Sequence, residues 1–135
     1  MKAKVKAAGL SDQFYIDSAG IGDWHVGQLP DSRMRERAAR RGYRLDSHAR
    51  QIRQSDFSDF DLILVMDKGN YRAVTSLAPT SEAKKKVAML TDYLTAHHGV
   101  DVVPDPYYGD LSDFDYALDL IEDACDGLLK ELASE

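Results

Sequence analysis

The chain has 135 residues, a formal net charge of −6 and one cysteine, Cys125. Its acidic balance argues against a general nucleic-acid binder, and its longest apolar run, Leu62–Met66, is too short to cross a bilayer. No signal peptide is evident, and a lone cysteine excludes an intrachain disulfide and is typical of a reducing cytoplasm. We therefore expect a single cytoplasmic domain over residues 1–135 with no membrane or nucleic-acid partner.

The first half of the chain contains glycine and proline signals that bound short elements. The predicted elements, in chain order, are a helix over residues 2–8 ended by Gly9, a strand at Phe14–Ile16, and a helix from Pro30–Asp31 to about Arg41 ended by Gly42. A glycine-containing loop precedes the second of these helices.

The second half alternates strands and helices. Its predicted elements are a strand at Asp61–Met66, a helix at Lys68–Leu77 ended near Pro79, a strand at Val87–Leu90 and a last helix with the apolar seam Phe114, Leu118, Ile121, Cys125, Leu128 and Leu132. The continuous apolar character of Asp61–Met66 is typical of a strand buried on both faces. This alternation predicts an α/β fold with a mostly parallel sheet.

The segment from Pro104 to Asp110 is the strongest functional signal. Asp105 lies between two prolines, and Pro106 pushes Asp105 away from helical geometry. A carboxyl group held in this way suits general acid catalysis, which depends first on placement. Asp and Pro are also both common in turns, so a turn role for Asp105 stays open. Tyr107 and Tyr108 could line a pocket or pack the loop onto the core.

Five other candidates for functional residues occur along the chain. Trp24 lies between glycines. It could be a recognition residue, or its ring could fold back onto apolar surface. His48 could be a base or a structural hydrogen-bonding group, and His97–His98 is a weak metal signal that is more typical of a solvated loop. A basic run could attract phosphate or form a solvated helix face; its members are Arg33, Arg35, Arg37, Arg40 and Arg41. Cys125, on the apolar seam, is interpreted as a buried structural thiol.

Taken together, several segments resemble the low-molecular-weight protein tyrosine phosphatases along nearly the whole chain. They are Asp17–Gly20, the Trp24 loop, Ser47–Ile52, Asp56–Leu64, Met66–Asp67, Asp105–Gly109 and Ile121–Leu129. The resemblance implies a three-layer α/β fold, with helices on both faces of a parallel sheet. It also implies a phosphomonoesterase that works through a phosphocysteine intermediate, with no metal and no other cofactor.

The resemblance assigns roles to residues of this chain. It implies that Asp105 is the proton donor and later the base, and that the substrate is a phosphotyrosine protein or an aryl phosphate. Trp24, Tyr107 and Tyr108 would line the pocket for the aromatic ring. Ser18 and His48 would belong to the polar network that braces the phosphate-binding loop, and Asp67 would support the site.

The family signature, a cysteine followed by five residues and an arginine, does not occur in the sequence. Met1–Lys4 aligns with the middle of the helix that follows the phosphate-binding loop. We therefore expect a domain that is incomplete at its N-terminus and lacks its first, central strand. As written, the chain is expected to be inactive, because covalent catalysis requires its nucleophile. Loss of a central strand would also expose sheet edges through which two copies could associate.

Three interpretations remain open. The first is a phosphatase whose start was assigned too far downstream, and we favour it because the chain begins inside a predicted element. The second is a catalytically dead relative that acts as an interaction module. The third is an arsenate reductase on the same scaffold, which would need redox cysteines besides Cys125.

Overall fold

The structure, a computed structural model, describes residues 1–22, 27–97, 99–107 and 109–133. Its helices and strands are α1 (Lys2–Ala7), α2 (Ser32–Arg40), α3 (Asp56–Asp59), β1 (Ile63–Val65), α4 (Lys68–Leu77), α5 (Ser81–Lys84), β2 (Val87–Met89) and α6 (Leu111–Ala133). Single turns of 3₁₀ helix cover Ser11–Gln13 and Leu90–Tyr93. No helix in this described part of the chain is long and apolar enough to span a membrane.

The two strands pair in parallel, as the alternation of elements predicts. The register joins Ile63 to Val87 and Val65 to Met89. Beyond the end of β1, the Met66 carbonyl accepts a hydrogen bond of 2.7 Å from the Val103 N–H. The segment that leads to Asp105 is therefore attached to the carboxyl end of β1, where ligands of open parallel sheets usually bind.

Alternate side chains of β1 pack into different apolar clusters. Ile63 and Val65 contact the cluster that contains Phe57 of α3 and Val74 of α4. Leu64 packs against the other cluster, whose buried members include Leu120 of α6. Since successive strand residues point to opposite faces of a sheet, helices cover both faces of β1. The α/β fold expected from the sequence is thus confirmed.

The strand predicted at Phe14–Ile16 is wrong. Phe14 has extended dihedral angles, φ −130° and ψ 132°, but its segment forms no ladder within the described residues. Tyr15 is 79% exposed and stacks on Phe60 at a centroid distance of 5.5 Å. An extended segment becomes a strand only when a neighbour satisfies its backbone groups. The pairing that the described residues show nearby is an isolated bridge between Gly20 and Gln51.

Both early helices end at the predicted glycines. Gly9 has φ +73° and Gly42 has φ +86°, which is the left-handed conformation that glycine adopts without steric cost. After α2, the Tyr43 N–H donates to the Ala38 carbonyl at 2.9 Å, closing the helix as a Schellman motif does. These ends were predictable because the signals are local.

Ion pairs join α2 to α6. Arg37 donates to the carboxylate of Asp115, with its Nη2 atom 2.5 Å from Oδ2, and Arg41 pairs with Asp119 and Glu122. The pKa values of Arg37 and Arg41 are raised chiefly by these side-chain hydrogen bonds. The basic run is therefore not simply a solvated face, since two of its members bind α6.

The seam predicted for α6 is buried at four positions and half-buried at Ile121 and Leu132, and the buried face also extends beyond the seam. Phe114, Leu118, Cys125 and Leu128 are buried as predicted. Additional positions are also buried, namely Ala117, Leu120 and Ala124. The 3₁₀ turn Leu90–Tyr93 packs along this helix, which explains the extra burial.

Candidate functional site

A cleft of about 550 Å³ lies among three loops and the segment that carries Asp105. Its lining residues are Ser18, Ala19, Gly20, Gln28, Leu29, Pro30, Asp31, Ser47, His48, Ala49, Arg50 and Tyr107. These positions lie in the motifs Asp17–Gly20 and Ser47–Ile52, in the loop before α2, and after Asp105. Three predicted site residues, Ser18, His48 and Tyr107, therefore share one cavity.

Backbone hydrogen bonds hold the three loops together. The Gly20 N–H donates to the Arg50 carbonyl at 2.8 Å, and the Gly20 carbonyl accepts from Ile52 at 2.8 Å. On the other side, the Ala49 N–H donates to the Gln28 carbonyl at 2.7 Å. Residues 47–52 thus form an extended spine that fixes the loops on either side of it.

A charged network, which the sequence analysis did not identify, braces the cleft beside Ser18. Arg50 donates twice to the carboxylate of Asp56, at 3.0 and 3.1 Å, and its Nε atom donates to Asp17 at 3.0 Å. Asp56 is only 3% exposed. Because Arg50 is bound by two carboxylates, it acts as a brace between loops rather than as a free binding site for an anion.

The pKa values of both acids reflect this pairing. Burial alone would raise the pKa of Asp56, but hydrogen bonds from the Arg50 side chain and the Arg53 N–H outweigh it and hold the pKa below its ordinary value. The pKa of Asp17 is lowered first by a hydrogen bond from the Ser18 N–H, and then by Arg50. Both acids therefore remain ionised, and Arg50 remains paired, near neutral pH.

Ser18 and His48 are exposed at the cleft. The Ser18 N–H donates to Asp17 Oδ1 at 2.8 Å, which ties the start of this loop to the Arg50 network. No hydrogen bond joins the Ser18 side chain to that of His48 within the part of the chain that the structure describes. Their expected role in a polar network thus stays a prediction.

Asp105 lies on an exposed turn next to the cleft. Its Oδ1 atom accepts a hydrogen bond of 3.0 Å from the Tyr107 N–H, and the Gly109 N–H donates to the Pro106 carbonyl at 2.8 Å. The turn interpretation of Asp105 is therefore correct as local geometry. This turn is compatible with an acid role for Asp105. The bond from the Tyr107 N–H uses one of the two carboxylate oxygens and fixes the orientation of the carboxylate.

The two ends of this loop are anchored. Val103, which is buried, is bonded to β1 through Met66. At the other end, Asp110 Oδ1 accepts from the Asp113 N–H at 3.3 Å, and Asp113 Oδ2 accepts from the Asp110 N–H at 3.0 Å. This reciprocal pair is a capping box at the start of α6. The pKa of Asp110 is lowered, first by the Ser112 hydroxyl.

Asp67, predicted to support the site, caps α4. Its Oδ1 atom accepts from the Asn70 N–H at 2.7 Å. Asp67 follows Met66, whose carbonyl binds Val103, so it lies at the same end of β1 as the segment leading to Asp105. It does not belong to the described lining of the cleft. Trp24 and Tyr108, predicted to line the pocket, lie outside the described residues, as does His98.

These features define an α/β protein in which a loop that carries Asp105 adjoins a cleft and is bonded to the carboxyl end of a parallel strand. The model of the family described as low molecular weight phosphotyrosine protein phosphatase matches residues 1–135, and the chain belongs to that family. The resemblance inferred from the motifs is thus confirmed.

Relatives and solved structures agree with this assignment. A low molecular weight protein-tyrosine-phosphatase of Streptomyces coelicolor is 45% identical over 129 residues, which cover 95% of this chain and 79% of that protein. The low molecular weight phosphotyrosine protein phosphatase of Schizosaccharomyces pombe is 37% identical, and the match covers 96% of this chain and 83% of that protein. A crystal structure of a protein tyrosine phosphatase from Entamoeba histolytica with Hepes in its active site superposes with a TM-score of 0.94 at 38% identity, covering 98% of this chain and 84% of that one.

Proposed function

We propose that this domain hydrolyses phosphotyrosine monoesters in proteins, with Asp105 as general acid and then general base. The observation that carries the proposal is the position of Asp105, whose carboxylate is held by the backbone N–H of a residue that lines the cleft, Tyr107. The names of the relatives in bacteria and yeast support a phosphotyrosine substrate.

The chemistry follows from these roles. A cysteine thiolate attacks phosphorus, the bond from phosphorus to the tyrosine oxygen breaks, and the electron pair stays on that oxygen. Protonated Asp105 delivers its proton there, so that a phenol leaves instead of a phenolate. In the second step the Asp105 carboxylate takes a proton from water as the water oxygen attacks phosphorus, which releases the thiolate and inorganic phosphate. Neither step requires a metal or a cofactor.

The remaining site residues would serve binding and support. Tyr107 is 50% exposed and offers a ring face at the cleft, where Trp24 and Tyr108 would complete a wall for the aromatic ring of the substrate. Ser18 and His48 would orient the phosphate-binding loop, and Asp67 would support the end of β1.

The thiolate in this scheme is not that of Cys125. Cys125 is 5% exposed and lies 14 residues after the start of α6, which is about 21 Å along the helix axis. The sequence also has no arginine six residues after it, since that position is Glu131. We therefore propose that the 135 residues alone are inactive and that the nucleophile belongs to an N-terminal strand and loop of the complete domain.

Two further proposals concern the state of the protein. Exposed sheet edges beside β1 would allow two copies of the 135-residue chain to associate. Light scattering on a size-exclusion column would show a mass of two chains if that is so and of one chain otherwise. The lone cysteine supports a cytoplasmic location.

Two measurements on the protein made from the native gene test the proposal. The first is the intact mass of the protein purified from its native source, and the second is its turnover of p-nitrophenyl phosphate and of a phosphotyrosine peptide. We expect a mass above 15.1 kDa and activity on both substrates. The 135-residue chain should show none, and the variant Cys125→Ser in the longer protein should stay active. Turnover by the short chain that Cys125→Ser abolishes would contradict the proposal.

A further inference from the structure

Arg33, the second residue of α2, reaches across to the loop that carries Asp105. Its Nη2 atom donates a hydrogen bond of 2.8 Å to the Tyr107 carbonyl oxygen, although the two residues are 74 positions apart. The same guanidinium donates to the carboxylate of Asp31, from Nε at 3.1 Å and from Nη2 at 3.0 Å. Asp31 is in turn fixed as the N-cap of α2, because its Oδ1 atom accepts from the Arg33 N–H at 2.8 Å.

Two aromatic rings hold the same guanidinium. Its central carbon lies 4.6 Å from the ring centroid of Phe114 and 5.7 Å from that of Tyr107. Phe114 is buried in the first turns of α6. A guanidinium between rings gains cation–π attraction while its N–H groups remain free to donate in the plane. Arg33 therefore connects three parts of the chain, namely α2, the start of α6 and the loop that carries Asp105.

The bond to Tyr107 has a consequence for Asp105. Tyr107 accepts from Arg33 through its carbonyl and donates through its N–H to Asp105 Oδ1 at 3.0 Å. When Arg33 binds the Tyr107 carbonyl, it restricts the orientation of the Tyr107 backbone. The Tyr107 N–H, which donates to the Asp105 carboxylate, is restricted with it. Since Asp31 neutralises Arg33, the pair restrains the loop without placing a free cation in the cleft.

We propose that Arg33 is a positioning residue for Asp105, acting through the backbone of Tyr107. This inference rests on the proposed function for its catalytic meaning, because only a phosphatase role makes the direction of the Asp105 carboxylate matter. The link itself is a property of the 135-residue chain and can be tested without turnover.

The first test follows the Tyr107 amide proton by NMR as the pH is lowered through the range in which carboxylates titrate. An N–H that donates to a carboxylate shifts when that carboxylate is protonated. We expect a clear shift of the Tyr107 amide proton in the wild-type chain and none in Asp105→Asn. In Arg33→Met the shift should be reduced at least about twofold, because the bond that orients Tyr107 is lost. Arg33→Lys should restore part of the shift, since an ammonium can reach the carbonyl but cannot stack or fork as a guanidinium does.

The matched control is Arg40→Met, on the same helix. Arg40 pairs with Glu36 within α2, one turn away, and is well exposed. The Arg40→Met substitution should leave the shift of the Tyr107 amide proton at its wild-type amplitude. If Arg33→Met and Arg40→Met give the same amplitude as wild type, the positioning role is overturned. Should Arg33→Met fail to fold, Arg33→Lys decides, because an unreduced shift in that variant overturns the role as well.

The second test uses the complete protein and aryl phosphates whose leaving groups differ in basicity. A misplaced general acid slows the departure of a basic phenolate more than that of p-nitrophenolate, and general acids contribute about 10²–10⁴-fold to rate. We expect Arg33→Met to lower kcat/KM, which reports the step in which the phenol leaves, by at least about tenfold more for phenyl phosphate than for p-nitrophenyl phosphate, in the same direction as Asp105→Asn. An equal loss on both substrates would overturn the role. If the wild-type protein hydrolyses neither substrate, the proposed function fails while the NMR titration still decides the link.

Discussion

A Cβ atom built on Gly127 would overlap the carbonyl oxygen of Tyr93, so the backbone of α6 contacts the 3₁₀ turn Leu90–Tyr93 directly. Glycine in a helix interior is less favourable than alanine by about 1 kcal/mol. Gly127 lies well inside the 23-residue helix α6. The close approach of Tyr93 is the physical reason for a glycine at this position, and it lets α6 cover the turn without a gap.

Gly127→Ala should therefore destabilise the fold, although alanine is the better helix former. We expect a loss of about 1–3 kcal/mol in the free energy of unfolding, the usual effect of overpacking a core, measured by urea denaturation of the 135-residue chain. The control is Gly20→Ala, where the added Cβ would lie 3.9 Å from the nearest backbone oxygen, an ordinary contact. A Gly127→Ala chain as stable as wild type would show that the turn can move away from α6.

Asp123 organises the loop after this turn. Its carboxylate accepts hydrogen bonds from the N–H groups of Thr95, Ala96 and His97 at 3.0 to 3.2 Å, and His97 Nδ1 lies 2.9 Å from it. Burial would raise the pKa of Asp123, but the hydrogen bonds from Thr95, His97 and Ala96 outweigh it and hold the pKa far below its ordinary value. The histidine that suggested a metal site is thus a partner of this acid.

Asp123→Asn should lower stability by about 1–3 kcal/mol at pH 7, because the donors of Thr95, Ala96 and His97 lose a charged acceptor. Since the pKa of Asp123 is lower in the folded chain, its contribution is present above the unfolded value of about 3.9 and is lost as the pH falls below that. Urea unfolding at pH 7, 4 and 2.5 should therefore show a shallower acid loss in the variant. The control is Asp126→Asn, an exposed partner of Lys4, which should change stability by less than about 1 kcal/mol. Parallel pH curves for wild type and Asp123→Asn would contradict this account.

Arg50→Met should destabilise the chain more than removal of the exposed ion pair between Arg40 and Glu36 on α2. Among the residues that the structure describes, it would leave buried Asp56 with the Arg53 N–H at 2.8 Å as its one remaining donor. Breaking one partner of a buried pair costs about 3–5 kcal/mol, and we expect a value near the lower end because that donor remains. Thermal and urea unfolding would measure it. Asp17→Asn, which removes the more exposed partner, should cost less than about 1 kcal/mol; equal effects would contradict the assignment of Asp56 as the principal partner.

Asp105→Asn in the complete protein should lower kcat on phenyl phosphate by about 10²–10⁴-fold, the usual contribution of a general acid. Its KM should change little, because Asn can still accept the Tyr107 N–H bond and preserve the turn. Asp101→Asn is the matched control, since Asp101 is exposed on the same segment and pairs with Lys68 at 3.4 Å. Steady-state kinetics should find the control fully active. Unchanged kcat in Asp105→Asn would remove Asp105 from the reaction.

The parts of the fold that the sequence predicts are those set by neighbouring residues. α4 occupies Lys68–Leu77 as predicted, because Asp67 caps its start and Pro79 follows its end. The short helices α3 and α5 were missed because four residues produce no helical periodicity. The predicted strand Phe14–Ile16 failed because strand formation depends on a partner that is distant in sequence.

The same distinction applies to the site. The loop around Asp105 was found because prolines and tyrosines mark it in the sequence. Arg50 lay within a quoted motif, but its pairing with Asp17 spans 33 positions, and no local pattern reveals which carboxylate an arginine will bind. Arg33 was visible as one member of a basic run, and only the packing of its helix against α6 separates it from the others.

The spine at residues 47–52 has a consequence for the order in which the structure opens. Its bonds to Gly20 and Gln28 are few and largely solvent-exposed, whereas α6 and the sheet are held by buried side chains. Regions with few buried contacts open at lower free energy than the core, as cooperative units. The walls of the cleft should therefore open together, ahead of global unfolding, so that amide exchange at Gly20, Ala49 and Ile52 would share one rate that is faster than that of α6.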